Sequence, residues 1–207
     1  MLIETIPGKG HWKMRGIRQG NIAGAKGFSI IELLVTFVVL GILVGLAIPA
    51  FSVWLPNYQL TSAAKELYAN LNLTKLGAIK QNKSWAVVFD PNSDRYFICN
   101  DDGANNSWDG PPSIGGDDTV VKTVELDHYG KGITFSHGAA TAAVGGGSFP
   151  GDNVSYASNA VAFNPTGFAN SGYVYLGNTK GKSYAVGTLA CGVIMLKRWD
   201  SGTWTEQ

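Results

Sequence analysis

The feature that most constrains this chain is an apolar run near its N-terminus, from Phe28 to Phe51. Its 24 residues contain a single charged side chain, Glu32. As a helix rising about 1.5 Å per residue, the run would reach about 36 Å and could cross a bilayer core of about 30 Å. A carboxylate within such a span costs about 2.5–3.5 kcal/mol on insertion scales. Glu32 therefore needs a partner of opposite charge.

A short motif opens this run. Gly27 precedes Phe28, Glu32 is the fifth residue counted from Phe28, and a basic stretch comes before them. The motif resembles the class III signal peptide of type IV pilins and pseudopilins, whose helices often carry a proline where this chain has Pro49. The resemblance implies that prepilin peptidase cleaves after Gly27 and methylates Phe28, and that Glu32 serves assembly. The α-ammonium of a neighbouring subunit's Phe28 could neutralise Glu32 in a low dielectric.

Residues 1–27 are the predicted leader. Basic residues before the apolar run place the leader in the cytoplasm and the C-terminal domain outside. The resemblance then implies a single-pass protein of the bacterial inner membrane with its C-terminal domain in the periplasm. A secretory signal peptide is the alternative, but the run is longer than a usual h-region and lacks an obvious small-residue cleavage site. The leader is long for a pilin, so the true start codon is open, with Met14 as one candidate.

Charge limits the kinds of partner that the mature chain can bind through overall electrostatics. The whole chain has 16 basic and 15 acidic residues, and the leader holds five of the basic ones and one of the acidic ones. The mature chain therefore has 11 basic and 14 acidic residues and a net charge of −3. Binding to a polyanion would therefore have to rest on a local basic patch.

Three segments follow the leader, and together they predict an α+β fold with a long N-terminal helix packed on an antiparallel β-sheet domain. Residues 28–51 form the transmembrane half of the helix, residues 52–82 its amphipathic continuation, and residues 83–207 an exported β-rich domain. Pro49 and Pro56 each remove a backbone donor and allow a kink. In the second half, apolar or small residues recur at three- and four-residue steps, whereas Lys65, Glu66, Asn70 and Lys75 fall on other faces. The recurring residues are Leu60, Ala63, Leu67, Leu71, Thr74 and Ala78.

Beyond residue 83 the period of the pattern shifts to two, which predicts strands. We expect a hairpin around residues 91–93, a second strand pair formed by residues 120–126 and 133–136, and a turn at residues 164–167. Residues 100–118 are predicted to be a loop too polar to pack, and the Gly- and Ala-rich residues 138–153 a mobile loop. The predicted strands cover residues 84–90, 95–99, 120–126, 133–136, 160–163, 173–176, 183–188 and 193–199.

The local sequence also resembles one branch of these proteins, the GspH/FimT branch of pseudopilins and minor pilins. The resemblance rests on the apolar helix series, the sequence Phe163-Asn164-Pro165-Thr166-Gly167 and a late Gly192-Val193 pair. It implies a subunit at or near the tip of a type II secretion pseudopilus or a type IV pilus, with other pilins or pseudopilins, prepilin peptidase and the inner membrane as partners. The sequence leaves open which of the two machines it serves. A plain membrane-anchored periplasmic domain is a further alternative.

Some members of this branch bind DNA through a basic motif near the C-terminus, so a filament-tip binding module for DNA or surfaces is the alternative function. In the matching region of this chain, hydrophobic residues replace most of the basic ones, and Lys197, Arg198 and Trp199 remain as candidate DNA contacts. Phosphate contacts need several cations on one face, and stacking needs exposed aromatic rings. An amphipathic terminal strand explains the same residues without DNA.

Two cysteines, Cys99 and Cys191, fall in the exported domain, where the compartment permits oxidation. We expect them to form a disulfide, with two buried free thiols as the alternative.

No pattern predicts a cofactor, a metal site or an enzyme. Residues 90–94 alternate oxygen-bearing side chains as in a calcium loop, and more aspartates follow up to Asp118. The EF-hand pattern, however, requires Gly and Glu where this chain has Arg95 and Asp101, so we expect a solvated turn and an acidic surface loop. His128 and His137 lack metal-ligand spacing to a cysteine, and no nucleophile–base set stands out.

Overall fold

The structure is a computed structural model that describes residues 27–207, leaving out the side chains of residues 49 and 50. One long helix, α1 (Ile30–Gln81), runs without interruption through both prolines. The chain divides into two compact units, with the boundary between Val44 and Gly45. The predicted helix is therefore confirmed, starting two residues after Phe28. The predicted leader lies outside the described residues except for Gly27.

The first half of α1 is predominantly apolar, and its described side chains up to Ile48 are all exposed. Ile30–Ile48 has a mean hydropathy of 2.7, and none of it is buried against the rest of the chain. Among residues 27–207 this is the one helical segment long and apolar enough to cross a membrane. A helix that is hydrophobic all round is stable only when lipid or other protein covers it.

The second unit contains nine strands in two antiparallel sheets. The first sheet has the order β3-β2-β1-β5 and the second has the order β4-β6-β7-β8-β9. The strands are β1 (Trp85–Asp90), β2 (Arg95–Asp101), β3 (Thr119–Glu125), β4 (Ile133–Phe135), β5 (Ala160–Phe163), β6 (Gly172–Asn178), β7 (Ser183–Thr188), β8 (Ile194–Asp200) and β9 (Thr203–Glu206).

The eight predicted strands are all present, but one predicted pairing is wrong and β9 was not expected. β3 pairs with β2, and β4 pairs with β6 in the other sheet. The connection is not a tight reverse turn, because Leu126–Tyr129 forms a 3₁₀ turn with Leu126 buried in the core. Gly130 and Gly132, both at positive φ, then lead the chain to the second sheet.

The core lies between the second half of α1 and the inner faces of both sheets. All six helical residues predicted to face the sheet are buried. Five of them, all except the polar Thr74, share one cluster with alternate residues of the central strands, such as Val87 and Phe89 in β1 and Val174 and Leu176 in β6. The residues that alternate along the strands therefore pack against the residues that recur at three- and four-residue steps along the helix.

Asn70 is an exception to the predicted helix pattern. It was expected on a polar face, but it is only 2% exposed. Its side-chain amide donates to the Tyr96 hydroxyl at 2.7 Å, and its carbonyl oxygen accepts from Lys122 at 3.3 Å. Lys122 also pairs with Glu66 at 3.0 Å. The Tyr129 hydroxyl beside Glu66, followed by Lys122, lowers the pKa of this carboxyl. A buried amide is tolerated here because its hydrogen bonds are made.

Long loops cover the outer faces of both sheets. Trp108 and Ile114 pack on Val88, Phe97 and Cys99 of the first sheet, so the prediction that residues 100–118 do not pack is wrong. The Gly- and Ala-rich loop lies over the second sheet, where the Trp204 indole donates to the Ala142 carbonyl at 2.7 Å. As a result β1 and β7 are buried along their whole length.

Candidate functional site

The first candidate site is the N-terminal end of α1. Glu32 lies in the first turn of the helix, where a negative charge is favoured by the helix dipole. Leu33 donates its backbone N–H to the Ser29 carbonyl at 3.1 Å, so the helical hydrogen bonds begin directly after Phe28. Phe28 is 81% exposed, and Glu32 is exposed as well. Glu32 forms no ion pair with any residue in the described part of the chain.

Aromatic side chains follow the apolar segment. Trp54 stacks on Tyr58 with ring centroids 5.3 Å apart, and Phe51 contacts Trp54 edge to face at 6.2 Å. All three rings are more than half exposed. Tryptophan and tyrosine are enriched where a membrane meets water, so their place just beyond Ile48 fits an anchor that ends there.

The motif residues that carried the resemblance to the GspH/FimT branch come together in space. Residues 164–167 form the predicted turn, in which the Gly167 N–H donates to the Asn164 carbonyl at 2.9 Å. Gly192, in the turn between β7 and β8, lies so close that a Cβ added to it would stand 1.8 Å from the Gly167 carbonyl oxygen. Lys75 of α1 donates to the Gly192 carbonyl at 2.9 Å. These residues therefore join two turns and the helix and form a structural junction.

The candidate DNA contacts do not share a face. Lys197 and Arg198 are neighbours in β8, so their side chains point to opposite sides of the sheet. Arg198 pairs with Asp200 at 3.1 Å and lines a groove of about 420 Å³ beside Trp54 and Tyr58. Lys197 and Trp199 line a different groove, next to the Gly-rich loop. The three candidate DNA contacts therefore line two separate grooves and do not form one cluster.

The aromatic rings of this region are tied into the fold. Trp199 contacts Trp204 edge to face at 5.2 Å, and both rings are only partly exposed. Base stacking on single-stranded nucleic acid needs an open ring face. The arrangement is that of a packed terminal hairpin.

The predicted disulfide is not formed, and Cys99 and Cys191 are both free. Cys99 is buried under the acidic loop on the outer face of the first sheet, whereas Cys191 is exposed in a turn of the second sheet. Burial, followed by the neighbouring Asp118 carboxylate, raises the pKa of the Cys99 thiol to about 12.

Thiol labelling checks this assignment. Because Cys191 is exposed and Cys99 is buried, an alkylating reagent at pH 8 should label Cys191 and leave Cys99 unmodified until denaturant is added. We expect one labelled thiol in the native protein and two in the unfolded protein, counted by mass spectrometry. Cys191→Ser should reduce the native count to zero. A native count of zero in the unsubstituted chain, rising only after reduction, would instead establish a disulfide.

The turn considered as a calcium loop uses its oxygens elsewhere. Asp90 pairs with Arg95 at 2.9 Å, and Asp94 accepts the backbone N–H of Phe135 at 2.9 Å. This turn connects β1 to β2 as predicted, and it has no cluster of free carboxylates.

A Gly-Phe motif precedes an exposed apolar helix, and two antiparallel sheets pack on the second half of that helix. This combination defines a pilin-like protein. The chain belongs to the family described as "Type II transport protein GspH", whose model matches residues 63–192. A second model, "Prokaryotic N-terminal methylation motif", matches residues 22–48. The protein is thus a pilin-like protein of the GspH type, and its apolar helix fits anchoring in the inner membrane.

Two individual proteins are similar to it. The pilin-like protein PilA1 of Thermus thermophilus is 30% identical over 109 residues, which cover 52% of this chain and 62% of that protein. The solved structure of the minor pseudopilin EpsH, from the type 2 secretion system of Vibrio cholerae, matches with a TM-score of 0.44 and 14% identity. That match covers 67% of this chain and 95% of EpsH.

Proposed function

We propose that this chain is a minor subunit that prepilin peptidase cleaves between Gly27 and Phe28, and that then enters a filament at or near its tip. The filament is a type II secretion pseudopilus or a type IV pilus. Before assembly, residues 28–51 hold the subunit in the inner membrane with residues 83–207 in the periplasm. The observation that carries the proposal is a fully exposed apolar helix with one acid, Glu32, for which the described chain offers no partner.

The exposed apolar surface of the helix supports assembly with other subunits. Every described side chain from residue 27 to residue 48 is exposed. Lipid covers such a surface in the membrane, and the equivalent helices of neighbouring subunits would cover it in a filament. In the second unit, α1 also carries exposed apolar side chains, and Leu73 and Leu76 are each about 60% exposed. Exposed apolar surface of this extent indicates contact with a partner.

The orientation is supported by charge and by the aromatic rings. The basic leader favours the cytoplasmic side, and Trp54 and Tyr58 lie where the opposite membrane surface would be. Because the GspH family consists of structural subunits, we propose no catalytic role.

The N-terminal residue of the protein recovered from membranes tests this function. In cells with an active prepilin peptidase, we expect mass spectrometry to find a chain that begins at methylated Phe28. Gly27→Leu should retain the leader, because a bulky side chain replaces the residue before the cut. Gly24→Ala, a change in the leader away from the cut, should be processed normally. Retention of Gly27 in the unsubstituted chain would leave a signal-anchored domain and contradict the proposal.

DNA binding has less support as a second function. The side chains of Lys197 and Arg198 point in opposite directions, and Arg198 pairs with Asp200. The described residues therefore form no group of cations around Trp199. A structural role for this hairpin accounts for the same contacts.

A further inference from the structure

The loop between β2 and β3 gathers acidic side chains without basic ones. Residues 102–118 contain four aspartates and no lysine or arginine. Asp101, at the end of β2, pairs with Lys83. Asp109, Asp117 and Asp118 each offer a carboxylate oxygen to one group whose members all lie within 4.8 Å of one another. Like charges this close repel, so the loop carries an electrostatic cost that a bound cation would offset.

Burial makes this cluster different from an ordinary acidic surface. Asp118 is only 3% exposed. One of its carboxylate oxygens accepts the Gly110 N–H at 2.8 Å, but the other oxygen, Oδ1, is buried without a hydrogen-bond partner. The Oδ1 of Asp117 is buried and unpartnered as well. Buried carboxylate oxygens are normally hydrogen-bonded or bound to a metal.

The surroundings of Asp118 supply more negative charge and no neutralising group. Within residues 27–207, neither it nor Asp109 or Asp117 forms an ion pair. Burial and the nearby carboxylates of Asp109, Asp117 and Asp102 raise the pKa of Asp118 to about 6. The Cys99 thiol beside it is at most a weak donor and carries no positive charge.

The backbone of the loop is shaped to hold these carboxylates. A Cβ on Gly103 would lie 2.2 Å from Oδ1 of Asp117, so a glycine is needed for that oxygen to be enclosed. The other oxygen of Asp117 accepts the Ala104 N–H at 2.8 Å, which fixes the direction of the carboxylate. Oδ1 of Asp117 is thus held in a fixed position with no partner in the described chain.

We propose that Asp109, Asp117 and Asp118 bind a calcium ion. Carboxylate oxygens are hard ligands, which favour calcium, magnesium or manganese over zinc or copper. Calcium accepts six to eight oxygens in flexible geometry, whereas magnesium demands a near-ideal octahedron and keeps several waters. An irregular loop with partly buried carboxylates suits calcium better. Exported modules commonly bind calcium with dissociation constants of about 10⁻⁴–10⁻³ M, and we expect this range here.

The ion would fasten the loop to the first sheet. Trp108 and Ile114 of this loop cover Val88 and Phe97, so a calcium-free loop whose carboxylates repel one another would open more readily from the sheet. Calcium would then regulate how firmly this outer surface is formed. The inference does not depend on filament assembly, since it concerns the folded chain alone.

The experiment uses the full chain purified in detergent and stripped of metal with a chelator. Calorimetric titration with calcium chloride should give about one site per chain. Calcium at about 10 mM should raise Tm by about 3–8 °C, from mass action at the expected affinity. Magnesium chloride at the same concentration should raise it by less than half as much.

Three variants separate a built site from general screening of acidic charge. Asp117→Asn and Asp118→Asn keep the shape of each side chain and an acceptor oxygen but remove the charge, and each should abolish most of the calcium-dependent rise in Tm. Without calcium, Asp118→Asn should be at least as stable as the unsubstituted chain, because it removes a buried charge. Asp127→Asn is the matched control, since Asp127 belongs to a second acidic group, with Glu125 and His128, that is exposed.

Two results would overturn the proposal. The first is the absence of both calorimetric binding and a Tm shift in the unsubstituted chain at about 10 mM calcium. The second is an equal loss of the calcium response in Asp127→Asn, which would mean that calcium acts only by screening surface charge.

Discussion

Glu32→Ala is expected to leave the subunit in the membrane and to reduce its recovery in filaments by more than about tenfold. The substitution removes the one charge from a span of apolar residues, so insertion should become easier by about 2.5–3.5 kcal/mol. Cleavage after Gly27 should continue, because the residue before the cut is unchanged. The loss should therefore appear at the assembly step alone.

The size of the effect follows from the proposed ion pair. At about 4 Å and an effective dielectric constant of about 20, a carboxylate and an α-ammonium attract each other by about 4 kcal/mol. A lone acid in lipid has no such gain, so the pair favours the docked state over the free subunit. Removing one partner also leaves the amine of the neighbouring Phe28 uncompensated, which adds to the cost.

The measurement is the fraction of the subunit that co-purifies with sheared filaments, relative to its level in membranes, in cells with the complete assembly machinery. Glu32→Gln should fail like Glu32→Ala, because it keeps the size and loses the charge. Thr36→Val is the matched control one turn further on: its hydroxyl is already bonded to the Leu33 carbonyl at 2.8 Å, so assembly should be unaffected. Normal incorporation of Glu32→Ala would mean that the acid does not set the docking of subunits.

Most of the fold could be predicted from the sequence because it depends on local periodicity. The steps of three and four from Leu60 to Ala78 predicted the buried face of α1, and the period of two located eight strands to within about two residues at each end. Which strands pair is a different problem. β3 and β4 are close in sequence, yet Leu126 is buried between them and Gly130 redirects the chain, and neither effect is a periodic signal.

The candidate sites show the same division. Gly27, Phe28 and Glu32 form a contiguous motif, so a resemblance can identify them. The junction of Lys75, Gly167 and Gly192 depends on three segments far apart in the chain, and the sequence of no single segment predicts the contact. The acidic group that contains Asp109 and Asp118 could not be predicted for the same reason. The sequence shows an acidic loop, but it does not show that Trp108 and Ile114 pack this loop on the sheet and bury one of its carboxylates.

Gly192→Ala is the second substitution with a large expected effect, here on the stability of the second unit. Gly192 has φ of +76°, a conformation that costs an L-residue about 1 kcal/mol or more. The new Cβ would also stand 1.8 Å from the Gly167 carbonyl oxygen, a backbone atom that cannot move away alone. The two turns would have to separate, which also disturbs the hydrogen bond from Lys75. We expect a loss of about 2–4 kcal/mol in the free energy of unfolding.

The control for this prediction is a second glycine with the same backbone demand and open space around it. Gly202, in the turn between β8 and β9, has φ of +91° and no atom within 4 Å of an added Cβ. Thermal unfolding of the full chain in detergent should show Gly192→Ala lowering Tm by about 5–15 °C, and Gly202→Ala by clearly less. The difference between them measures the contact with Gly167 separately from the cost of positive φ. Equal effects would mean that the close approach of the two turns relaxes without cost and that the contact between Gly192 and Gly167 does not stabilise the second unit.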